Sequence, residues 1–185
     1  MRKISRSAVE QHLKCQKCFY LNYNHKIRPH TLPFTLNSAV DNLCKNEFDH
    51  YRAKAEPHPM FLEHGIDAVP FAHEKMDEWR NNFKGIRHIN EEAGYNFGGA
   101  VDDIWEKPNG DLIVIDVKST SKNVFDWEDT YSKWEYAKGY RRQLEMYQWL
   151  LEKNGFTVAS EGYLVYYNGK KHEPMFNQQL TFDLH

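Results

Sequence analysis

Cysteine is scarce in this chain and unevenly placed: Cys15, Cys18 and Cys44 are the three, and none follows residue 44. Four thiolates cannot be drawn from one such chain, so a four-cysteine iron–sulfur cluster is not expected. The "CQKC" pair could bind zinc with His12 or His25. It lacks a second pair, however, and falls within a predicted helix, so half-buried thiols are the expectation. The ten histidines include no HxH or HxxxH grouping. Long apolar runs are missing too, which excludes an obvious membrane-spanning helix. The opening "MRKISRSAVEQHLK" has no apolar signal-peptide core. With so few cysteines, the expectation is an intracellular protein. Charge of one sign is also lacking: 24 Lys and Arg against 26 Asp and Glu leave a net charge of −2. Nucleic-acid binding would therefore need a local basic patch. No G-x-x-x-x-G-K-[ST] occurs, so any translocation along a polymer must come from a partner.

What is present describes a globular protein of 185 residues, 41% apolar and 27% charged, long enough for one real core. Aromatics reach 15%, and Tyr and Trp serve both as core and as stacking platforms. Two basic groups stand out: Arg2, Lys3, Arg6, Lys14, Lys17, Lys26 and Arg28 against Glu10, and Lys133, Lys138, Arg141 and Arg142 on one predicted helix. Ser5 and Ser7 are candidate N-caps for a helix through about Tyr20. A loop around Pro29 and Pro33 leads to a second helix, from about Leu36 to Lys54. A third helix candidate is residues 71–85, stopped by Gly85. Strands are predicted from Ile86 onward. A long helix follows over 130–156, with Tyr140, Leu144, Tyr147 and Leu151 at helical spacing. "VASEGYLVYYNGKK" predicts a strand with an Asn-Gly turn, and "QQLTFDL" a last strand. The order predicts an α/β fold, a mixed sheet flanked by helices. One domain spans residues 1–185, with 1–85 mainly helical and 86–185 the sheet core.

The informative stretch is "GGAVDDIWEKPNGDLIVIDVKST", residues 98–120. It reads as a hairpin. Pro108 and Asn109 suit the central positions of a type I turn, and Gly110 the left-handed residue of a three-residue loop. Lys107 then pairs with Asp111, and counting back sets Asp102 opposite Asp116. Side chains alternate, so Asp102, Asp116 and Lys118 share a face. Two facing carboxylates in an apolar sheet repel and lose solvation, so either one takes a proton or a cation sits between them. Open oxygen sites suit Mg²⁺ or Mn²⁺ better than Zn²⁺. Lys118 can reach the same metal-bound water or a phosphate. The bland alternative is a buried Asp–Lys ion pair beside an exposed second Asp.

Gly99-Ala100-Val101-Asp102 and Ile115-Asp116-Val117-Lys118 resemble the G-x-x-D and D-x-K elements of PD-(D/E)XK nucleases. Gln143 and Tyr147, in "YRRQLEMYQWLL", resemble the Q-x-x-x-Y helix motif of the RecB-like exonuclease branch, which includes CRISPR-associated RecB-like nucleases. "SRSAVEQHLKCQKCFYL" is similar to that branch's usual start. The resemblance implies a restriction-endonuclease-like mixed β-sheet flanked by α-helices and a divalent-metal-dependent deoxyribonuclease, an exonuclease by its branch. It implies that Asp102, Asp116 and the Val117 carbonyl hold one or two Mg²⁺ or Mn²⁺ ions, which would polarise the phosphate and activate water. Lys118 would position that water or stabilise the developing charge. Gln143 and Tyr147 would contact the substrate strand or brace the site, with Arg141 and Arg142 near enough in sequence to reach phosphates. DNA, as single strands or duplex ends, is the implied partner, with a helicase or recombination protein as a further one.

Two departures matter. Where the branch carries a metal-binding His on an early helix, this chain offers Asn37 and Asp41, in "LNSAVDNLCKNEF". Asp41 is therefore a candidate third ligand; the alternative is a surface residue of an amphipathic helix. The iron–sulfur cysteines of some relatives are missing. Two other functions stay open: a catalytically inactive nuclease-fold module that binds nucleic acid or protein, and an RNase or structure-specific nuclease on the same fold.

Overall fold

The computed structural model describes residues 1–30, 35–133, 135–176 and 181–185. The elements in order are β1 (Arg2–Ser5), α1 (Arg6–Lys14), α2 (Gln16–His25), α3 (Thr35–Arg52), α4 (Pro59–Glu63), β2 (Val69–Pro70), α5 (Met76–Trp79), β3 (Ile86–Asn90) and β4 (Tyr95–Gly99). Then come β5 (Asp103–Glu106), β6 (Leu112–Thr120), α6 (Trp127–Lys133), α7 (Glu135–Lys153), β7 (Val158–Gly169) and β8 (Phe182–Leu184). They build a five-stranded sheet of order β2-β5-β6-β7-β8 and a three-stranded sheet of order β1-β4-β3. The larger sheet is mixed: β6 and β7 run parallel, the other pairs antiparallel. The parallel pair requires a crossover, and α6 and α7 supply it.

β6 explains why the apolar run in the sequence is nearly continuous. It is the central strand, buried on both faces from Leu112 to Val117. Ile113, Ile115 and Val117 pack with Val40, Cys44 and Phe48 of α3, Phe61 of α4, and Trp105. Leu112 and Val114 face the other way, against Leu144, Tyr147, Leu150 and Leu151 of α7. Alternation therefore turns Asp116 and Lys118 toward α7.

The hairpin turn is as read. Gly110 N–H donates to the Lys107 carbonyl at 2.9 Å, Lys107 N–H to the Asp111 carbonyl at 3.0 Å, and Gly110 has φ +85°. The ladder runs from Glu106↔Leu112 to Asp103↔Ile115. One more step sets Asp102 against Asp116. The run before the turn is not one strand, however. β4 belongs to the small sheet and β5 to the large one, and the chain bends between Gly99 and Asp103 to pass from one to the other.

Other sequence expectations are corrected. The first helix breaks at Cys15, whose extended backbone (φ −160°) ends α1 and caps α2, because its sulfur accepts the Cys18 N–H at 3.2 Å. The candidate helix over 71–85 shrinks to Met76–Trp79. There Asn81 draws the Phe83 and Lys84 amides to its side chain, and Gly85 turns the chain at φ +66°. The expected helix over 130–156 begins earlier, at Trp127, and its described parts are α6 and α7. Asn168-Gly169 is not a turn but the end of β7: Asn168 pairs with Asp183, and its side chain holds Lys122. Pro33 and the start of the last strand, residues 178–180, lie outside the described residues. β1, α4 and β2 had no counterpart in the sequence reading.

Candidate active site

Where β6 leaves the core, a cleft of about 680 Å³ opens between α1, α3 and α7. Asp102, Asp116, Val117, Lys118, Gln143, Tyr147 and Asp41 all line it. Asp116 is fully buried; its Oδ1 accepts from Gln143 Nε2 at 2.7 Å, and its Oδ2 pairs with the Lys118 ammonium. The same Gln143 amide donates to the Tyr147 hydroxyl at 3.3 Å, so the four-residue spacing on α7 turns into one bonded unit. Tyr147 reaches the site because residue 99 is glycine: a Cβ there would stand 2.6 Å from the Tyr147 ring. The Lys118 ammonium also lies 4.6 Å from the Tyr140 ring centroid, a cation–π contact.

Asp102 sits just past the end of β5. Its Oδ2 accepts the Val117 N–H at 2.8 Å, and its Oδ1 lies 3.6 Å from the Lys45 ammonium. Burial, then the Asp116 charge, push the Asp102 carboxyl up to about 6, against the pull of Lys45, Lys118 and the Val117 amide. Asp41 is drawn into the same field. Lys45 bonds it at 2.7 Å, while burial and the Asp102 charge raise it above the ordinary carboxylate range. The cleft thus gathers three carboxylates and compensates them with two lysines.

Asp103, next in sequence, points to the opposite face and is fully buried. Arg52 holds it at 2.5 Å and Arg80 at 2.6 Å, and the two arginines share Asp49 beyond it. This network ties β5 to α3 and fixes where the chain bends toward Asp102.

The arginines of α7 go elsewhere. Arg141 is exposed and bonds Glu145 at 2.8 Å, and Arg142 clasps Glu10 of α1 through two bonds of 2.9 and 3.0 Å. Neither lines the cleft. The cation that does, besides Lys118, is Arg6, at the start of α1 beside Ser5 and Ser7. Its Nε is buried without a hydrogen bond, and its charge and hydrogen bond act on Tyr147. Lys45 could have been sought from its position four residues after Asp41. Arg6 stood out only as one of the N-terminal basic group, with no spacing that ties it to Asp102 or Asp116.

The donors suit a hard divalent cation. Asp41 Oδ1 is buried and accepts no hydrogen bond, Asp116 Oδ2 has the mobile-ended Lys118 ammonium as its partner, and all the donors are oxygen. Among the described residues, no three His, Cys, Asp or Glu side chains are close enough together to hold an ion by themselves. Ligation would thus rest on Asp102 and Asp116 with carbonyl and water oxygens.

The sequence model of the PD-(D/E)XK nuclease superfamily matches residues 35–182. The chain belongs to that superfamily. The match runs from α3 to the start of β8 and takes in Asp41, Asp102, Asp116, Lys118, Gln143 and Tyr147. The mixed sheet flanked by helices is the restriction-endonuclease-like fold of this superfamily. Membership places the chain among nucleases, metal-dependent hydrolases of phosphodiester bonds. β1, α1 and α2 precede the matched span, so Arg6 adds to a PD-(D/E)XK cleft from outside it. No curated protein and no solved structure matches the chain.

Proposed function

We propose that this PD-(D/E)XK protein is a Mg²⁺- or Mn²⁺-dependent deoxyribonuclease of the RecB-like branch, acting as an exonuclease inside the cell, where a helicase or recombination protein would present the DNA. The observation that carries this reading is the placement of Asp102, Asp116 and Lys118 on one sheet face, braced by Gln143 and Tyr147, in an open cleft.

Asp102, Asp116 and the Val117 carbonyl would hold the ion. When bound, a divalent ion polarises the scissile phosphate and lowers the pKa of its water. The chain's own residues do the rest. Gln143 fixes one oxygen of Asp116, and the Lys118 ammonium holds the other. The Val117 amide fixes Asp102. Lys118, held between Asp116 and the Tyr140 ring, presents a positive charge where negative charge grows on the phosphate. Arg6 offers a second cation to the same cleft.

The test is a polarity-resolved assay on end-labelled single-stranded and duplex DNA, and on RNA, with and without Mn²⁺. Metal-dependent release of nucleotides from one end of DNA is expected, and Asp116→Ala or Lys118→Ala should abolish it. Activity that survives both substitutions refutes the assignment.

The inactive binding module is a second reading, favoured by Lys45, whose ammonium already contacts both Asp41 and Asp102. It predicts nucleic-acid or protein binding with no Mn²⁺ bound between Asp102 and Asp116, so Mn²⁺ titration separates the two.

A further inference from the structure

We propose that Cys15 and Cys18 form a redox-active dithiol that closes to an internal disulfide by exchange with a low-molecular-weight disulfide. Their sulfurs stand 2.7 Å apart, within about 0.7 Å of the ~2.05 Å of a disulfide bond. That approach follows from the break in the helix. In a continuous helix two residues three apart sit one above the other. Here Cys15 is the extended cap and Cys18 lies in the first turn of α2, so the capping bond from the Cys18 N–H to the Cys15 sulfur draws one side chain onto the other.

The two thiols also differ in character. Bonds from the Cys18 thiol and the Cys18 N–H lower Cys15 from its ordinary value, with help from the Lys17 charge, whereas Cys18 is raised by its bond to Cys15. A thiolate attacks and a protonated neighbour waits, the division of labour that disulfide exchange uses. Both cysteines are half-buried and line an open groove with Lys14, Arg28 and Arg142, so a small anionic disulfide can reach them. Cys44 is the internal contrast. It is buried in the core, and burial pushes its thiol up to about 11, so it should stay inert.

The exchange balances in two steps. The Cys15 thiolate attacks one sulfur of glutathione disulfide, forming a mixed disulfide and releasing one glutathione thiolate. Cys18 then loses its proton to that thiolate or to solvent and attacks the Cys15 sulfur, expelling the second glutathione. Two protein thiols are oxidised and one glutathione disulfide is reduced to two thiols.

The test equilibrates the full chain without oxygen across a series of reduced-to-oxidised glutathione ratios. The samples are then quenched in acid, denatured and labelled with maleimide, and intact and peptide masses are read. One transition is expected, from three labelled thiols to one, with a monomer lighter by two hydrogens and the remaining label on Cys44. Cys44→Ser should keep the transition, and Cys15→Ser and Cys18→Ser should each remove it. In the reduced protein near neutral pH, iodoacetamide should alkylate Cys15 at least tenfold faster than Cys18. Three labels at every ratio, a persistent glutathione adduct in place of the internal bond, or Cys44 reacting first would each overturn the proposal. None of these readouts depends on nuclease activity.

Discussion

Asp102→Asn should make the protein more stable while destroying its proposed activity. The structure holds this carboxyl at about 6 against an ordinary 3.8, roughly two pH units. At ~1.4 kcal/mol per unit, the ionised group costs the fold on the order of 2–3 kcal/mol. The sign follows from proton binding. The folded state holds the Asp102 proton more tightly than the unfolded chain, so this stability is present below about pH 4, is lost as pH rises to about 6, and stays lost above. Asparagine removes the charge yet keeps an oxygen for the Val117 N–H, the bond that positions the side chain. In chelator at pH 8 the variant should melt about 5 °C above the parent, since a chain of this size gains about 2–4 °C per kcal/mol. At pH 4 the difference should all but vanish. Mn²⁺ at pH 8 should raise the melting point of the parent and leave that of the variant unmoved. Thermal melts at the two pH values decide the matter. A variant no more stable than the parent at pH 8, or a gain that persists unchanged at pH 4, refutes the reasoning.

Three further substitutions probe the same architecture. Asp103→Ala takes the buried carboxylate from Arg52 and Arg80 and leaves them only the exposed Asp49, and should cost about 3–5 kcal/mol, read by urea denaturation. Gln143→Leu removes the donor to Asp116 while keeping the side chain's bulk. Cleavage should slow by about tenfold or more, with the slowing in kcat rather than KM and near-native melting; an unchanged kcat would show that Gln143 does not position Asp116. Arg6→Ala removes the cleft cation that precedes the family match. It should weaken binding of a fluorescent oligo(dT) in EDTA and flatten the salt dependence by about 0.7 in log–log slope, the share of one phosphate contact on a single strand. A slope equal to the parent's would exclude a phosphate contact.

The facing of Asp102 and Asp116 was legible because a three-residue turn fixes register over a short distance, and the β5–β6 ladder runs undisturbed from Leu112 to Ile115. The division of the preceding run between two sheets was not legible. A strand that bends and one that continues share the same alternation, and what bends the chain after Gly99 is the small sheet formed with β1, a stretch more than 90 residues earlier. Gln143 and Tyr147 were legible because a helix converts a spacing of four into a shared face. Arg141 and Arg142 were not, because sequence proximity to Gln143 says nothing about which neighbour claims a guanidinium, and Glu10 on a distant helix claims the second.

The cleft's charge balance was the least visible part, and it bears most on function. Asp41 alone looked like a substitute ligand for a missing histidine. In the fold it comes with Lys45, one turn on, whose ammonium reaches both Asp41 and Asp102. A carboxylate–lysine pair is neutral where a neutral histidine would be, so exchanging one for the other leaves the net charge around Asp102 and Asp116 unchanged. The site can therefore keep the same pull on a divalent cation with different residues, provided Lys45 stays with Asp41. Lys45→Met breaks that balance: it leaves Asp41 and Asp102 facing each other with one cation fewer. Asp102 should then titrate higher than about 6 in the metal-free protein, and Mn²⁺ should bind more tightly at pH 8 because it answers an uncompensated charge. Isothermal titration with Mn²⁺ reads the effect directly. Weaker binding in Lys45→Met would mean that the lysine organises the ligands rather than competing for them.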